Sequence, residues 1–161
     1  CLENMAFAKS RYNVQDAGNM KVITMLSKCL NGYATSRVME YIAKQKKQKQ
    51  ILFMVNSIDA EIHWSEDICW IYDTDFEFIA DEYLNKIIVY GTRALDYKVR
   101  FLLAGIPEEK IKVVEKAEDA IELFEYIDDS LIYVLYDLDV IDKGLQIADS
   151  IRDRFAAGKV Q

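Results

Sequence analysis

The chain has 161 residues, 52% of them apolar and 12% aromatic, which suits one domain with a single core of ordinary size. Its 27 acidic side chains outweigh 20 basic ones to give a net charge of -7, a balance that repels a phosphate backbone and argues against nucleic acid as a partner. Three cysteines without a C-x-x-C pair and a single histidine, His63, argue against a disulfide framework and a zinc site.

No run approaches the roughly 20 apolar residues of a membrane span, and the first residues carry no basic segment followed by an apolar one. The expectation is a soluble, cytoplasmic protein without a membrane span.

Residues 1–15 read as an irregular segment or the residual end of a preceding domain, with one α/β domain over 16–161. Asp16-Ala-Gly18-Asn19 is a turn signal, and Met20-Lys-Val-Ile-Thr-Met-Leu26 is a run of β-formers. After Gly32, Val38, Tyr41 and Ile42 form a narrow helical stripe between Tyr33 and about Lys47. The bunched Lys44, Lys46, Lys47 and Lys49 read as a solvated helix end.

Ile51-Leu-Phe-Met-Val55 has the continuous apolar character of a strand covered on both faces. Ile68-Cys-Trp-Ile-Tyr72 reads as a further short strand, Phe76 to Leu84 as a short helix, and Lys86-Ile-Ile-Val-Tyr90 as a strong strand. From Arg93 to Ala104, Leu95, Val99, Leu102 and Leu103 fall on one helical face, with Ala104-Gly105 and Pro107 as the stop.

Ile111-Lys-Val-Val114 follows as a strand, then a helix with Ala120, Ile121, Phe124 and Ile127 inward. The strand Leu131-Ile-Tyr-Val-Leu135 and a last helix on Ile141, Leu145, Ala148 and Ile151 complete the chain. Alternation of strands and helices predicts an α/β, Rossmann-like domain: a mainly parallel sheet with helices on both faces.

Ligands of open α/β sheets bind beyond the carboxyl ends of the strands. The residues there include Lys28, Asn31 and Gly32, then Asn56 to Asp59, Asp73 to Asp75, Gly91 to Arg93 and Tyr136 to Asp139. None forms a phosphate cradle, and the six glycines are too dispersed to build one, so independent nucleotide hydrolysis or dinucleotide chemistry is disfavoured.

Asp67, Asp73, Asp75 and Glu77 surround Trp70 and Tyr72. Paired carboxylates of this kind serve acid-base work or hold magnesium, while the plainer reading is exposed carboxylates at a helix N-terminus. Cys29 or Cys69 with His63 would be the sole nucleophile-base pair within the chain, and a small buried cysteine is the commoner outcome. Asp137 or Asp139 reads as the cap of the last helix.

The segment Asp67-Ile-Cys-Trp-Ile-Tyr-Asp-Thr-Asp-Phe-Glu77 resembles the D-x-S-W-I-W-D-x-D-F-E signature of the C-terminal domains of the MurT family. Met25-Leu-Ser-Lys28-Cys-Leu-Asn-Gly32 is similar to the family's L-V-K-N-P-x-G loop. Gly91-Thr-Arg93-Ala-Leu-Asp96, with Arg100 and Ala104-Gly105-Ile106, is similar to its G-x-R-x-x-D-x-x-x-R-x-x-x-A-G-I helix. The similarity runs from about Ala6 to Asp139, with Ala6-Phe7 resembling the end of a Mur ligase central domain.

The resemblance implies a Mur ligase C-terminal type of fold and a subunit that is not self-sufficient. It implies a preceding Mur ligase central domain that binds ATP with magnesium, and a GatD-like glutaminase partner. The pair would amidate the D-glutamate of the lipid II precursor in peptidoglycan synthesis, with ammonia released from glutamine.

Asp67 would complete the partner's Cys-His pair. Lys28, Asn31, Gly32, Asn56 and Arg93 would line the substrate or nucleotide loops, and Trp70, Asp73, Asp75 and Glu77 would support the motif. No metal ligands are implied on this chain.

The sequence departs from the family pattern at Cys29 and Leu30, in the longer stretch from Asn56 to Glu66, and at Tyr133-Val-Leu-Tyr-Asp-Leu-Asp-Val140. These departures define the alternative, a divergent non-catalytic interaction domain of the same fold.

Overall fold

A computed structural model describes residues 11–27, 31–54 and 68–157. Six strands form one sheet in the order β1-β2-β6-β3-β4-β5. They are β1 (Tyr12–Ala17), β2 (Met20–Leu26), β3 (Lys49–Met54), β4 (Leu84–Tyr90), β5 (Ile111–Val114) and β6 (Leu131–Tyr136). β1 is antiparallel to β2, and the other four pairings are parallel.

The helices are α1 (Gly32–Lys44), α2 (Cys69–Tyr72), α3 (Ala94–Leu103), α4 (Asp119–Leu123) and α5 (Ile141–Ala157). The α/β, Rossmann-like reading with a mainly parallel sheet holds.

β3 and β6 lie at the centre, and every residue of KQILFM and LIYVLY is buried. That is why residues 51–54 and 131–135 read as unbroken apolar runs rather than alternating ones, with Lys49 and Gln50 as buried polar residues at the start of β3. Odd and even positions still feed different cores. Ile51, Phe53, Tyr133 and Leu135 pack with Met39 and Ile42 of α1 and with Tyr97 and Phe101 of α3. Leu52, Met54, Ile132 and Val134 face the other way, toward Ile147, Ala148 and Ile151 of α5.

α5 sits close because Gly144 lacks a side chain: a Cβ there would lie 2.3 Å from Cδ1 of Tyr136. The α3 stop has the expected chemistry. Gly105 adopts φ +86, its N–H donates to Leu102 O at 3.0 Å, and the Ile106 N–H donates to Phe101 O at 3.0 Å. This is a paired C-terminal cap of the Schellman type.

Several expectations are corrected. Where an irregular segment is expected up to residue 15, Tyr12–Ala17 is a strand, joined to β2 by a turn with Gly18 at φ 71. It is a half-exposed edge strand, so polar Asn13, Gln15 and Asp16 mask its pattern.

Ile68 to Tyr72 is not a strand. β3 pairs directly with β4 on one side and β6 on the other, which leaves no slot between them, and the segment turns into α2. The helix expected over 76–84 is a single 3-10 turn, Phe76–Ile79, after which the chain enters β4.

α1 ends at Lys44 and buries Thr35, Ser36, Met39 and Ile42, while Tyr41 faces outward. α4 is a short helix, with Ala120 and Phe124 buried as expected and Ile121 and Ile127 half-buried.

α3 is turned the other way from its expected face. Leu95 and Leu103 are 70% and 68% exposed, Val99 and Leu102 are also exposed, and Ala94, Tyr97, Arg100 and Phe101 point inward. The helix is apolar around much of its circumference, so periodicity offers two stripes. Tyr97 and Phe101 bring the larger ring area into the core.

Lys49 does not belong to the solvated lysine group. It starts β3 fully buried, with its ammonium 3.3 Å from Asp81 and over the Tyr83 ring at 5.5 Å. Lys44, Lys46 and Lys47 are exposed as expected.

Candidate functional site at the carboxyl edge of the sheet

The segment from Trp70 to Glu77 is held on three sides. From α1, the Asn31 side-chain oxygen accepts from the Ala34 N–H at 2.9 Å and caps the helix. Gly32 then lets α1 touch α2, because a Cβ on it would lie 2.9 Å from Trp70 O. One turn later the Ser36 hydroxyl donates to Gly32 O at 2.8 Å and accepts from the Asp75 N–H at 2.9 Å.

Within the segment, the Thr74 hydroxyl donates to Trp70 O at 2.9 Å, closing the turn after α2. From α3, Arg100 Nη2 donates to Thr74 O at 2.7 Å and to the two Glu77 carboxylate oxygens at 2.9 and 2.8 Å. The Arg100 side chain is 8% exposed, and its guanidinium sits 5.6 Å from the Phe76 ring centroid. The hydrogen bonds from Arg100 hold the Glu77 carboxyl below its ordinary range.

Beneath the segment lies an aromatic floor. Phe76 packs edge-on to Phe101 at 4.8 Å, and Trp70 meets Tyr97 at 5.9 Å. The Trp70 indole N–H is buried without a hydrogen-bond partner among the described residues.

Asp67, Lys28 and Asn56, as well as Cys29 and His63, lie outside the described residues. Asn31 and Gly32 serve the fold, as cap and close-approach point. Arg93 occupies the N-cap position of α3 and reaches Asp96 at 3.7 Å. The structure thus brings Gly32 against the Trp70–Glu77 segment, with Asn31 capping the same helix end.

Asp73 and Asp75 are exposed, but neither caps a helix N-terminus through its side chain. Asp73 is the C-cap of α2, and Asp75 precedes the 3-10 turn without a side-chain cap bond. A four-residue helix followed by a 3-10 turn leaves no longer helix end for them to serve. Cys69 is exposed on α2 rather than buried, because Ile71 takes the inward position. Asp137 caps the 3-10 turn Leu138–Val140 that leads into α5, rather than α5 itself, accepting from the Leu138 N–H at 2.7 Å.

Sequence reasoning missed Ser36 and Thr74, the two hydroxyls that lock the segment. Thr74 occupies a wildcard place in the motif, and Ser36 sits on a helix that reads as mostly polar. The available signal was a small hydroxyl one turn after Gly32, where a helix can approach another backbone.

Two open cavities flank the same edge. One, of about 490 Å³, lies past β4 and β5 against Tyr90, Gly91, Thr92 and Leu95. The other, of about 450 Å³, lies past β6 along residues 138–143. Lys143 bridges toward the first, with its ammonium 5.0 Å from the Tyr90 ring centroid. Among the described residues no group of three carboxylate, imidazole or thiol side chains could hold a metal ion. No helix among them is long and apolar enough to cross a membrane.

A mainly parallel sheet with helices on both faces and a braced aromatic-acidic turn at its carboxyl edge defines a Rossmann-like α/β domain. The model of the MurT ligase C-terminal family matches residues 26–138, and the chain belongs to that family. Membership implies a Mur ligase-related role in peptidoglycan synthesis. A search of curated proteins finds no match.

Proposed function

We propose that this chain is the C-terminal domain of a MurT-like subunit that works with a GatD-like glutaminase to amidate the D-glutamate of lipid II in the cytoplasm. The observation that carries the reading is the rigid mount formed by Trp70 to Glu77. Gly32, Ser36, Thr74 and Arg100 fix this segment against α1 and α3. Asp67 lies three residues before Trp70 in the sequence and outside the described residues.

Asp67 would accept a hydrogen bond from the ring N–H of the partner's histidine. That contact fixes the imidazole tautomer and stabilises the imidazolium formed when the partner's cysteine gives up its proton. A carboxylate in this role needs no histidine on its own chain.

ATP and magnesium belong to the complete enzyme. The described residues do not fit them: they contain no three-ligand metal group, and the chain has no phosphate-cradling glycine loop. Nucleotide binding is therefore assigned to a preceding Mur ligase central domain. Lys28, Asn56 and Arg93 would contribute polar contacts at the domain's carboxyl edge, toward the lipid II precursor.

The alternative, a non-catalytic interaction domain, draws support from the exposed Leu95, Val99, Leu102 and Leu103 on α3, an apolar face of the kind that seats another protein. Transfer of isotope-labelled amide nitrogen from glutamine to lipid II separates the two readings. The full subunit, with its ATP-binding domain, paired with the cognate glutaminase should incorporate the label only with ATP. An intact complex that incorporates none would leave the interaction domain as the correct reading.

A further inference from the structure

A third cavity, of about 270 Å³, lies at the amino end of the parallel strands, opposite the edge that carries Trp70 to Glu77. Tyr12 of β1, Tyr41 of α1 and Tyr133 of β6 converge on it, with Lys21 at the start of β2. Tyr133 is fully buried, and among the described residues nothing hydrogen-bonds its hydroxyl. A buried O–H without an acceptor is disfavoured, so such a group on a residue that lines a cavity marks a place where an acceptor is missing.

The remaining lining has the same polarity. The Tyr12 and Tyr41 hydroxyls lie 3.2 Å apart, so one donates to the other and the second proton is left over. Lys21 adds an ammonium, and Lys47 a second one that is held by Asp129 at 2.5 Å. The described lining contains no carboxylate, although the chain as a whole has a net charge of -7.

Burial raises the Tyr133 hydroxyl well above its ordinary range. The Tyr41 hydrogen bond, with burial, raises Tyr12 to about 12. Both phenols therefore stay protonated near neutral pH and act as donors. Val14, Ile23 and Leu131 supply an apolar wall beside them.

We propose that this cavity is a binding site for the carboxylate of a small, largely apolar acid, with the Tyr133 hydroxyl and the Lys21 ammonium as its principal donors. An isolated carboxylate satisfies two or more donors at once, and the apolar wall takes the body of the ligand. The site is separate from the Asp67 motif and does not depend on the role proposed for it.

The test is a titration of the full chain with sodium benzoate, at ionic strength matched with sodium chloride, read by the tyrosine ring resonances. Inorganic phosphate is titrated in parallel. Saturable benzoate binding is expected with a Kd of about 1 mM, weakened roughly tenfold in both Tyr133→Phe and Lys21→Met. Phosphate should bind more weakly, because it has no apolar body for the wall.

Tyr133→Phe removes only the hydroxyl, and an unchanged melting temperature without ligand shows that the fold is kept. Absence of saturation in the wild-type chain, wild-type affinity in either variant, or phosphate binding as tightly as benzoate would each overturn the proposal.

Discussion

Arg100 of α3 grips Glu77 through both carboxylate oxygens, at 2.9 and 2.8 Å, with a nitrogen that also reaches the Thr74 carbonyl at 2.7 Å. The pair ties α3 to the turn that follows α2. It also makes the mount sensitive to single substitutions and to acid.

Replacing Arg100 with Met keeps much of the buried stem but leaves the Thr74 carbonyl without this donor. The expected loss is about 2–3 kcal/mol in denaturant unfolding, near the range for a broken buried polar network. Exchange of the backbone amides of Thr74 to Phe78 should accelerate more than exchange in β3.

The Glu77 carboxyl is held below its ordinary value of 4.5 by Arg100. Its stabilising contribution is therefore complete above the unfolded value and is lost as pH falls through the lower folded value. Glu77→Gln should flatten that part of the stability profile below about pH 4.5 and give up the same amount of stability at neutral pH, a small one because Glu77 is more than half exposed. Matching acid limbs in the two proteins would show that the pair contributes nothing.

Lys49 tests a buried cation. Burial is the main cause lowering its pKa from 10.5, with Asp81 opposing. A lowered lysine means that the cost of charge burial is fully present below the folded value and is relieved as pH rises through it toward 10.5. Lys49→Met should be neutral or stabilising by about 1 kcal/mol and should lose that alkaline rise. Asp81→Ala should destabilise by about 3 kcal/mol, because it strands the ammonium and removes the acceptor for the Tyr83 and Leu84 N–H groups.

The orientation of α3 has a direct check in paired variants. Leu95→Gln with Leu103→Gln should change stability by less than about 0.5 kcal/mol, whereas Phe101→Ala should cost roughly 3–5 kcal/mol. A large loss from the leucine pair, with Phe101 tolerant, would restore the opposite face as the inward one.

Glycines separate steric from backbone effects. Gly144→Ala would place a Cβ within 3 Å of three Tyr136 ring atoms and should cost about 2–3 kcal/mol or push α5 outward. At Gly105 nothing lies within 4 Å, and the penalty at φ +86 should be nearer 1 kcal/mol.

The central strands were legible because residues buried on both faces of a parallel sheet must be apolar at every position, as Ile51 to Met54 and Leu131 to Leu135 are. The helix stop at Gly105 was legible because few side chains other than hydrogen accept that backbone angle. The edge strand β1 was not, since one of its faces meets solvent and its pattern is diluted with Asn13, Gln15 and Asp16.

Ile68 to Tyr72 misled because a short run of β-formers carries no record of whether the sheet has room for it. Of the candidate site, the motif was visible in sequence but its bracing was not. Ser36, Thr74 and Arg100 act through backbone atoms that come together only in three dimensions.

Glutaminase turnover by the cognate partner, measured in the complex with wild-type chain and with Asp67→Asn, tests the central claim most directly. The amide is nearly isosteric but cannot accept and hold the imidazole as the carboxylate does, so turnover should fall by at least about a hundredfold with the complex intact. Equal turnover in the two complexes would contradict the assignment of Asp67 to the partner's Cys-His pair.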